Sequence, residues 1–453
     1  MAILFGSPSM ITSTDNKSQQ ELMQEFDAVF SGLSISPDPK NPTAYRGDRD
    51  LVIITLPSEI KTSLVLTDLG RLLGERYLLI LSSFYVRGLL KKKTTGNLGN
   101  FLQAHHKSLR QLGGEHYPKL MKYGLSAQHL VKSPLGYQKE KRSFAYMLNQ
   151  EVFSLKTQQR YTLTTKHAKR VRLDFIQWRR REFIKDNLVR QKIADSIDGL
   201  RFNYSEAIKY VSSLPDVEPQ KHRVDPKTYR RNLIEQYIAG ETDWSVDPQG
   251  RNYTLIVSAP RDIRCYFSHV AGPLWVVDIS SSQPLLHVLL YPCDSDEKKK
   301  YQTIVESGDF WDFMNNAAGK PFDLNDPENK KEMKEKIYRE VFFSYPKPNA
   351  GAKKIFAVIF KREFPVLWSL LNAHKLQQKR KPAAPLAKAM QQTEAEAVSD
   401  AVSSLKGSPC PLITIHDAIV TTKEGLSGVC TALKQSFSTL GLQPSLVEKK
   451  LTA

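Results

Sequence analysis

Cysteine is scarce in this chain: Cys265, Cys293, Cys410 and Cys430 are the only four among 453 residues. None forms a C-x-x-C pair and no histidine cluster stands beside them, which excludes a cysteine-built zinc site. A chain of this length has no need of a disulfide framework. The thiols are expected to be ordinary buried ones of a reducing compartment. Long hydrophobic runs are also missing. The longest, Leu51 to Leu56 and Tyr77 to Phe84, fall far short of the roughly 18–20 residues that span a bilayer and have the length of core strands. No basic segment precedes an apolar stretch at the N-terminus, so no secretory signal is read and a cytoplasmic location, without membrane attachment, is expected. Acidic residues are the minority, 47 Asp and Glu against 65 Lys and Arg, a formal charge of +18. That excess favours polyanionic partners, because each neutralised phosphate releases counterions.

What is present fits a globular protein of two or three domains, with 41% hydrophobic and 25% charged residues. Residues 1–18 are rich in Ser, Thr and Asn, and a poorly ordered start is predicted. Residues 19–135 read as an α/β domain of unknown role. Leu51 to Leu56 is strand-like, and Ser58 to Leu73 is compatible with an amphipathic helix. No acidic constellation of a proofreading nuclease occurs there. Residues 136–250 form a basic, helical region. Its stretch 139–192 carries 15 Lys and Arg against 5 Asp and Glu. Arg179, Arg180 and Arg181 lie there beside Trp178 and Phe183, a mixture suited to phosphates and stacked bases. A solvated helix face is the plainer account of such a run. From 251 to 453 short apolar strands alternate with longer helices, interrupted by a basic loop at 377–385.

Two apolar runs end in a carboxylate. Leu274-Trp-Val-Val-Asp278 reads as a buried strand delivering Asp278 at its end. Leu412-Ile-Thr-Ile-His416-Asp417-Ala-Ile-Val reads as a hairpin with Asp417 at its tip. A carboxylate beside apolar strand residues is costly unless solvated, paired or bound to metal. Two of them on adjacent strands could hold two Mg²⁺ ions. Between them, Lys330, Lys334, Tyr338 and Phe342 recur every four residues, which places all of them on one helical face.

These segments resemble the motifs of family A nucleic-acid polymerases. VVDISSSQPLL, 276–286, is similar to motif A. KKEMKEKIYREVFF, 330–343, is similar to motif B, and LITIHDAIVTT, 412–422, to motif C. Gly308-Asp309, KREFPVLWSLL at 361–371 with Phe360 and Phe364, and PLAKAMQQTEAEAV at 385–398 with Gln391 and Thr393 fall in the family's order. The resemblance covers about residues 250–450. It implies an α/β (α+β) right-hand fold: a palm sheet, helical fingers at about 298–405, and a helical thumb from the basic region, preceded by the N-terminal domain. It implies template-directed nucleotidyl transfer by a DNA polymerase, and the lack of an acidic nuclease constellation adds the expectation that it works without proofreading. Mg²⁺ or Mn²⁺ would be held by Asp278, Asp417 and the main chain at Ile279. Lys330, Lys334, Tyr338 and Gln283 would bind the nucleoside triphosphate. Arg251, Arg264, Gln391 and His416, together with Arg179, Arg180 and Arg181, would meet a DNA or RNA primer–template. Accessory replication proteins are compatible partners.

The departures are specific. Gln283 comes two positions late and is followed by Pro284-Leu285, without the family's ribose-excluding Glu. Ala418 stands where relatives have Glu or Ser. Lys330 replaces an Arg, and Arg339 and Phe343 replace glycines. An RNA polymerase or primase-like enzyme on the same fold therefore stays open, as does a non-catalytic nucleic-acid-binding relative.

Overall fold

The computed structural model describes residues 53–90, 102–103, 106–132, 145–149, 158–216, 226–238, 244–342, 354–376 and 384–451. They form a mixed α/β chain that is mostly helical, with small sheets. Residues 1–18, Phe343 and most of the basic loop at 377–385 lie outside the described residues. Two compact units result, both discontinuous in sequence. One comprises Met1–His105, Glu115–Lys169 and Ile208–Arg231; the other comprises His106–Gly114, Arg170–Ala207 and Asn232–Ala453. No helix among the described residues is long and apolar enough to cross a membrane.

In the first unit, strand β1 (Ile53–Pro57) leads into helices α1 (Thr62–Leu69) and α2 (Arg71–Leu90), separated by Gly70 at φ +72°. Strand β2 (Gln158–Thr162) returns antiparallel to β1, with Ile54 opposite Tyr161. The apolar run from Tyr77 to Phe84 is therefore helical, which corrects its reading as a strand. Tyr77, Leu78, Leu79, Ile80 and Leu81 are all buried. A helix apolar on every side gives the same run of hydrophobics as a buried strand, and only its length tells them apart. Glu75 on α2 is also buried. Its carboxylate accepts from the main-chain N–H groups of Thr164 (2.7 Å) and Thr165 (2.9 Å), from both threonine hydroxyls, and from the Tyr161 hydroxyl (3.0 Å). Burial pushes this carboxyl up, and the Thr165 and Thr164 hydrogen bonds outweigh that and leave it below its ordinary value.

Helix α3 (Lys166–Ile184) follows, and Thr165 caps it through Ala168 N–H. Asn187 caps helix α4 (Leu188–Asp198) by accepting from Arg190 N–H at 2.9 Å. The second unit is built on a four-stranded antiparallel sheet. Its central strand β3 (Leu274–Ile279) is followed by the short helix α5 (Ser282–Leu286) and by helices α6 (Asp296–Ser307), α7 (Phe310–Ala317) and α8 (Pro327–Ile337). Helices α9 (Ile355–Glu363), α10 (Pro365–Leu376) and α11 (Ala384–Ser404) come next. Strands β4 (Ile413–Ile415) and β5 (Ala418–Thr422), helix α12 (Leu426–Ser438) and strand β6 (Leu446–Lys450) close the unit. The spatial order is β4-β5-β3-β6. Every residue of β5 is buried, as expected of a strand covered on both faces. Helix α12 packs on β3 and β5, and α11 packs on α12.

Local chemistry sets the helix boundaries. Ser295 caps α6 by accepting from Lys298 N–H at 3.1 Å, with Asp296 and Glu297 in the first turn. Gly308 closes the same helix at φ +87°. A side chain there would meet Ser445 and Ser280, so the left-handed turn and the tight packing both demand glycine. Glu297 then bonds the otherwise free N–H groups of Val366 (3.0 Å) and Leu367 (2.9 Å), capping α10 across space. The four cysteines are free. Cys293 is exposed and the other three are partly exposed, which corrects the expectation of buried thiols. No periodic pattern reports the burial of a single small residue.

Candidate active site

The register of the sheet brings the two aspartates together. Asp278 lies directly opposite Ala418, and Ile415 pairs with the same Ala418 across the adjoining hairpin. Only His416 and Asp417 remain for the turn between β4 and β5, and His416 takes φ +54° to make it. Asp417 therefore projects from the turn beside the end of β3. Its carboxyl is pushed up to about 7, first by burial, then by the charges of Glu394 and Asp278. Arg251 and a main-chain N–H act in the opposite direction. Asp278 is less enclosed and pairs with Lys449 Nζ at 3.3 Å.

The chain after Asp278 is strained as well. Ser281 takes φ +60° and is buried, and its Oγ has no hydrogen-bond partner among the described residues. Five non-glycine residues among those described have positive φ, and two of them, Ser281 and His416, flank the two aspartates. Such conformations cost about 1–3 kcal/mol each and persist where the surroundings enforce them. One enforcing group is Glu394 on α11, which is 1% exposed. Its carboxylate pairs with Arg251 and accepts from Ser282 Oγ (2.6 Å) and Gln283 Nε2 (3.0 Å). Sequence reasoning missed this residue. The available signal was its place on the buried stripe of α11, in register with Met390, Val398 and Ala401.

The third segment faces the same carboxylates. Helix α8 carries Lys334, whose Nζ lies 4.9 Å from the centre of the Trp311 ring. Burial pulls this lysine down, Lys330 and Lys449 add to that, and Asp278 and Asp417 oppose it. Tyr338 is pushed up by burial first, then by Asp417 and Glu394. Lys334 and Tyr338 thus share the field of the aspartate pair. The α-helix does not run through the motif, however. It ends at Ile337, and Tyr338–Phe342 form a π-helical turn. This corrects the expectation that four residues share one helical face. Phe342 is fully buried and stacks on His287 at 4.5 Å. A wider turn shifts the register by nearly one residue, so the spacing of four no longer aligns Phe342 with the lysines.

The basic residues take several roles. The Arg251 guanidinium is committed to Glu394. Arg264 donates to the main-chain carbonyls of Ile256 (3.1 Å), Val257 (3.1 Å) and Ala259 (2.9 Å), which ties down the C-terminal end of the short helix Leu255–Ser258. His416 packs edge-on against Tyr253 and is pulled down by burial, then by Arg251 and Arg264. Gln391 is partly exposed one turn before Glu394. On α3, Arg180 binds Asp198 at 2.5 Å and Asp195 at 3.4 Å, Arg179 is half-buried and Arg181 is exposed. Consecutive helix positions point about 100° apart, so the three arginines do not form one cationic face. Phe175 and Phe183 are buried; Phe175 stacks on Trp178, and Phe183 packs at a tilt against Trp244.

No protein-family model matches the chain, and no curated protein matches it. Among solved structures it is similar to the POL domain of Pol1 from M. smegmatis, described in complex with DNA primer-template and dNTP. The identity is 12% and the TM-score 0.36. The match covers 61% of this chain and 65% of that one, so the chain spans less than two-thirds of the other's length.

Among the described residues no group of three or more His, Cys, Asp or Glu gathers closely enough to cage a metal ion. The aspartate pair is a different kind of site. Two carboxylates suit a hard cation that keeps several waters and shares its remaining positions with substrate phosphates. Burial, Glu394 and Asp278 together disfavour the charged form of Asp417, a penalty that a bound divalent cation would relieve.

Proposed function

We propose that this chain catalyses template-directed nucleotidyl transfer, as a DNA polymerase acting on a primer–template with nucleoside triphosphates. One observation carries the reading: Asp278, Asp417, Lys334 and Tyr338, from three separate segments, share one electrostatic neighbourhood. A chance set of surface motifs has no reason to meet around one strand end.

In the proposed reaction the strand's 3′-oxygen attacks the α-phosphorus in line. The new oxygen–phosphorus bond forms as the bond to the α,β-bridging oxygen breaks. That electron pair leaves with pyrophosphate, and the hydroxyl proton passes to water. Asp278, Asp417 and the main-chain carbonyl of Ile279 would hold Mg²⁺ or Mn²⁺, which when bound supplies charge neutralisation at the reacting phosphate and hydroxyl. Lys330 and Lys334 draw the triphosphate toward the sheet, and Tyr338 bounds the nucleotide on the Asp417 side. Glu394 holds the Ser282–Gln283 turn so that the strand end carrying Asp278 keeps its direction. Positioning and electrostatics dominate such chemistry.

The test is primer extension by the full chain on DNA and RNA templates, with deoxy- and ribonucleotides compared. Mg²⁺-dependent addition is expected, reduced by at least about 10³-fold in Asp278→Asn. Folded protein that adds no nucleotide on any template overturns the reading. Undiminished addition by Asp278→Asn overturns the site.

A further inference from the structure

Lys449 has no part in the motifs or in the mechanism above, yet it stands at the aspartate pair. Strand β6 pairs with β3 so that Val276 faces Lys449 and Asp278 faces Val447. Lys449 is therefore the diagonal neighbour of Asp278 on the same face of the sheet, within reach of a long side chain. Its Nζ lies 3.3 Å from Asp278 Oδ2. Lys334 on α8 feels the charges of both Asp278 and Lys449. Lys449 thus contacts Asp278 directly, and Lys334, from a distant element, shares its field together with Lys330.

The ion pair itself is too weak to be the reason for Lys449. Both side chains are well exposed, Lys449 at 48% and Asp278 at 38%. Solvent screening leaves exposed pairs of this kind with little net stabilisation. Little therefore holds the ammonium on Asp278 once a stronger anion arrives. A lysine is a compact point charge with three donors, suited to a phosphate oxygen whose position changes during reaction. The plainer account is edge protection, since β6 is an edge strand and charged residues discourage further pairing there. Lys450 would serve that purpose equally. It pairs with Trp275 and so points to the opposite face.

We propose that Lys449 is a third cation of the polyphosphate subsite, releasing Asp278 to contact the triphosphate chain and then the departing pyrophosphate. The proposal rests on the nucleotidyl-transfer reading. Three variants of the full chain test it: Lys449→Met, Lys449→Arg and Lys450→Met. Product inhibition by inorganic pyrophosphate, the Michaelis constant for nucleotide and primer–template affinity are measured, with calorimetric binding of Mn²⁺ alone as a readout apart from activity. Lys449→Met should weaken pyrophosphate inhibition and raise the nucleotide constant, each about tenfold, while template affinity holds. Mn²⁺ binding should hold or tighten, because a competing cation is gone. Lys449→Arg should recover part of the loss, and Lys450→Met should behave as wild type. Unchanged pyrophosphate inhibition in Lys449→Met overturns the proposal while leaving the polymerase reading standing, and so does an equal loss in Lys450→Met. A wild-type chain that adds no nucleotide and is indifferent to pyrophosphate overturns both.

Discussion

Replacing Asp417 by Asn tests the central electrostatic claim without relying on turnover. Asn has the same size, accepts a similar hydrogen bond and suits a tight turn equally well. The substitution therefore removes charge and little else. In the folded protein the Asp417 carboxyl is pushed up to about 7 by burial, Glu394 and Asp278. The unfolded chain gives up this proton near pH 3.9, as an ordinary aspartate does. Between those two values the folded state binds more protons than the unfolded state, so stability falls as pH rises through the window. Lifting a carboxyl from its ordinary value to about 7 costs about 4 kcal/mol at neutral pH. Asp417 retains some solvent contact, which lowers the expected figure to about 2–4 kcal/mol. The assay is thermal unfolding from pH 4 to pH 8 in a chelator. Asp417→Asn should melt several degrees higher at pH 7 and match wild type near pH 4, given roughly 2–4 °C per kcal/mol for a unit of this size. Adding Mn²⁺ should raise the wild-type transition and leave the variant nearly unmoved, because only a native site gains from ligand. A variant less stable than wild type at pH 7, or a difference independent of pH, would refute the reasoning and leave Asp417 a turn residue.

Two further outcomes follow from the same geometry. Lys334→Ala should raise the Michaelis constant for nucleotide and lower the maximal rate with template affinity nearly intact; a fall in template affinity alone, in binding titrations, would remove Lys334 from the triphosphate site. Glu394→Gln strands the half-buried Arg251 guanidinium and should destabilise the second unit by about 3–5 kcal/mol in urea unfolding; a loss below about 1 kcal/mol would mean that the pair is not holding the turn.

Features whose chemistry is local could be read from the amino-acid order. A run of apolar residues closed by an aspartate reads as a strand delivering a carboxylate, and β3 with Asp278 and the β4–β5 hairpin with Asp417 have that form. The caps at Ser295 and Asn187 and the stop at Gly308 are equally local, since each acts on its own neighbours, but they came from the structure. The helix from Arg71 to Leu90 was not legible as a helix through Tyr77–Phe84, because burial on every side erases the period that marks one. The π turn at Tyr338–Phe342 was equally hidden, as it changes the spacing without changing a residue. Tertiary structure alone decided which charges meet. It gave Arg251 to Glu394 and Arg180 to Asp198, so neither is the free surface cation that its sequence suggested. It placed Lys449 beside Asp278 through a strand register that no local pattern encodes. It also raised the Asp417 carboxyl, because burial and two carboxylates from other segments surround it only once the chain has closed. Coulomb interactions act through space, so a charge's partners are read from the fold and not from its neighbours in the chain.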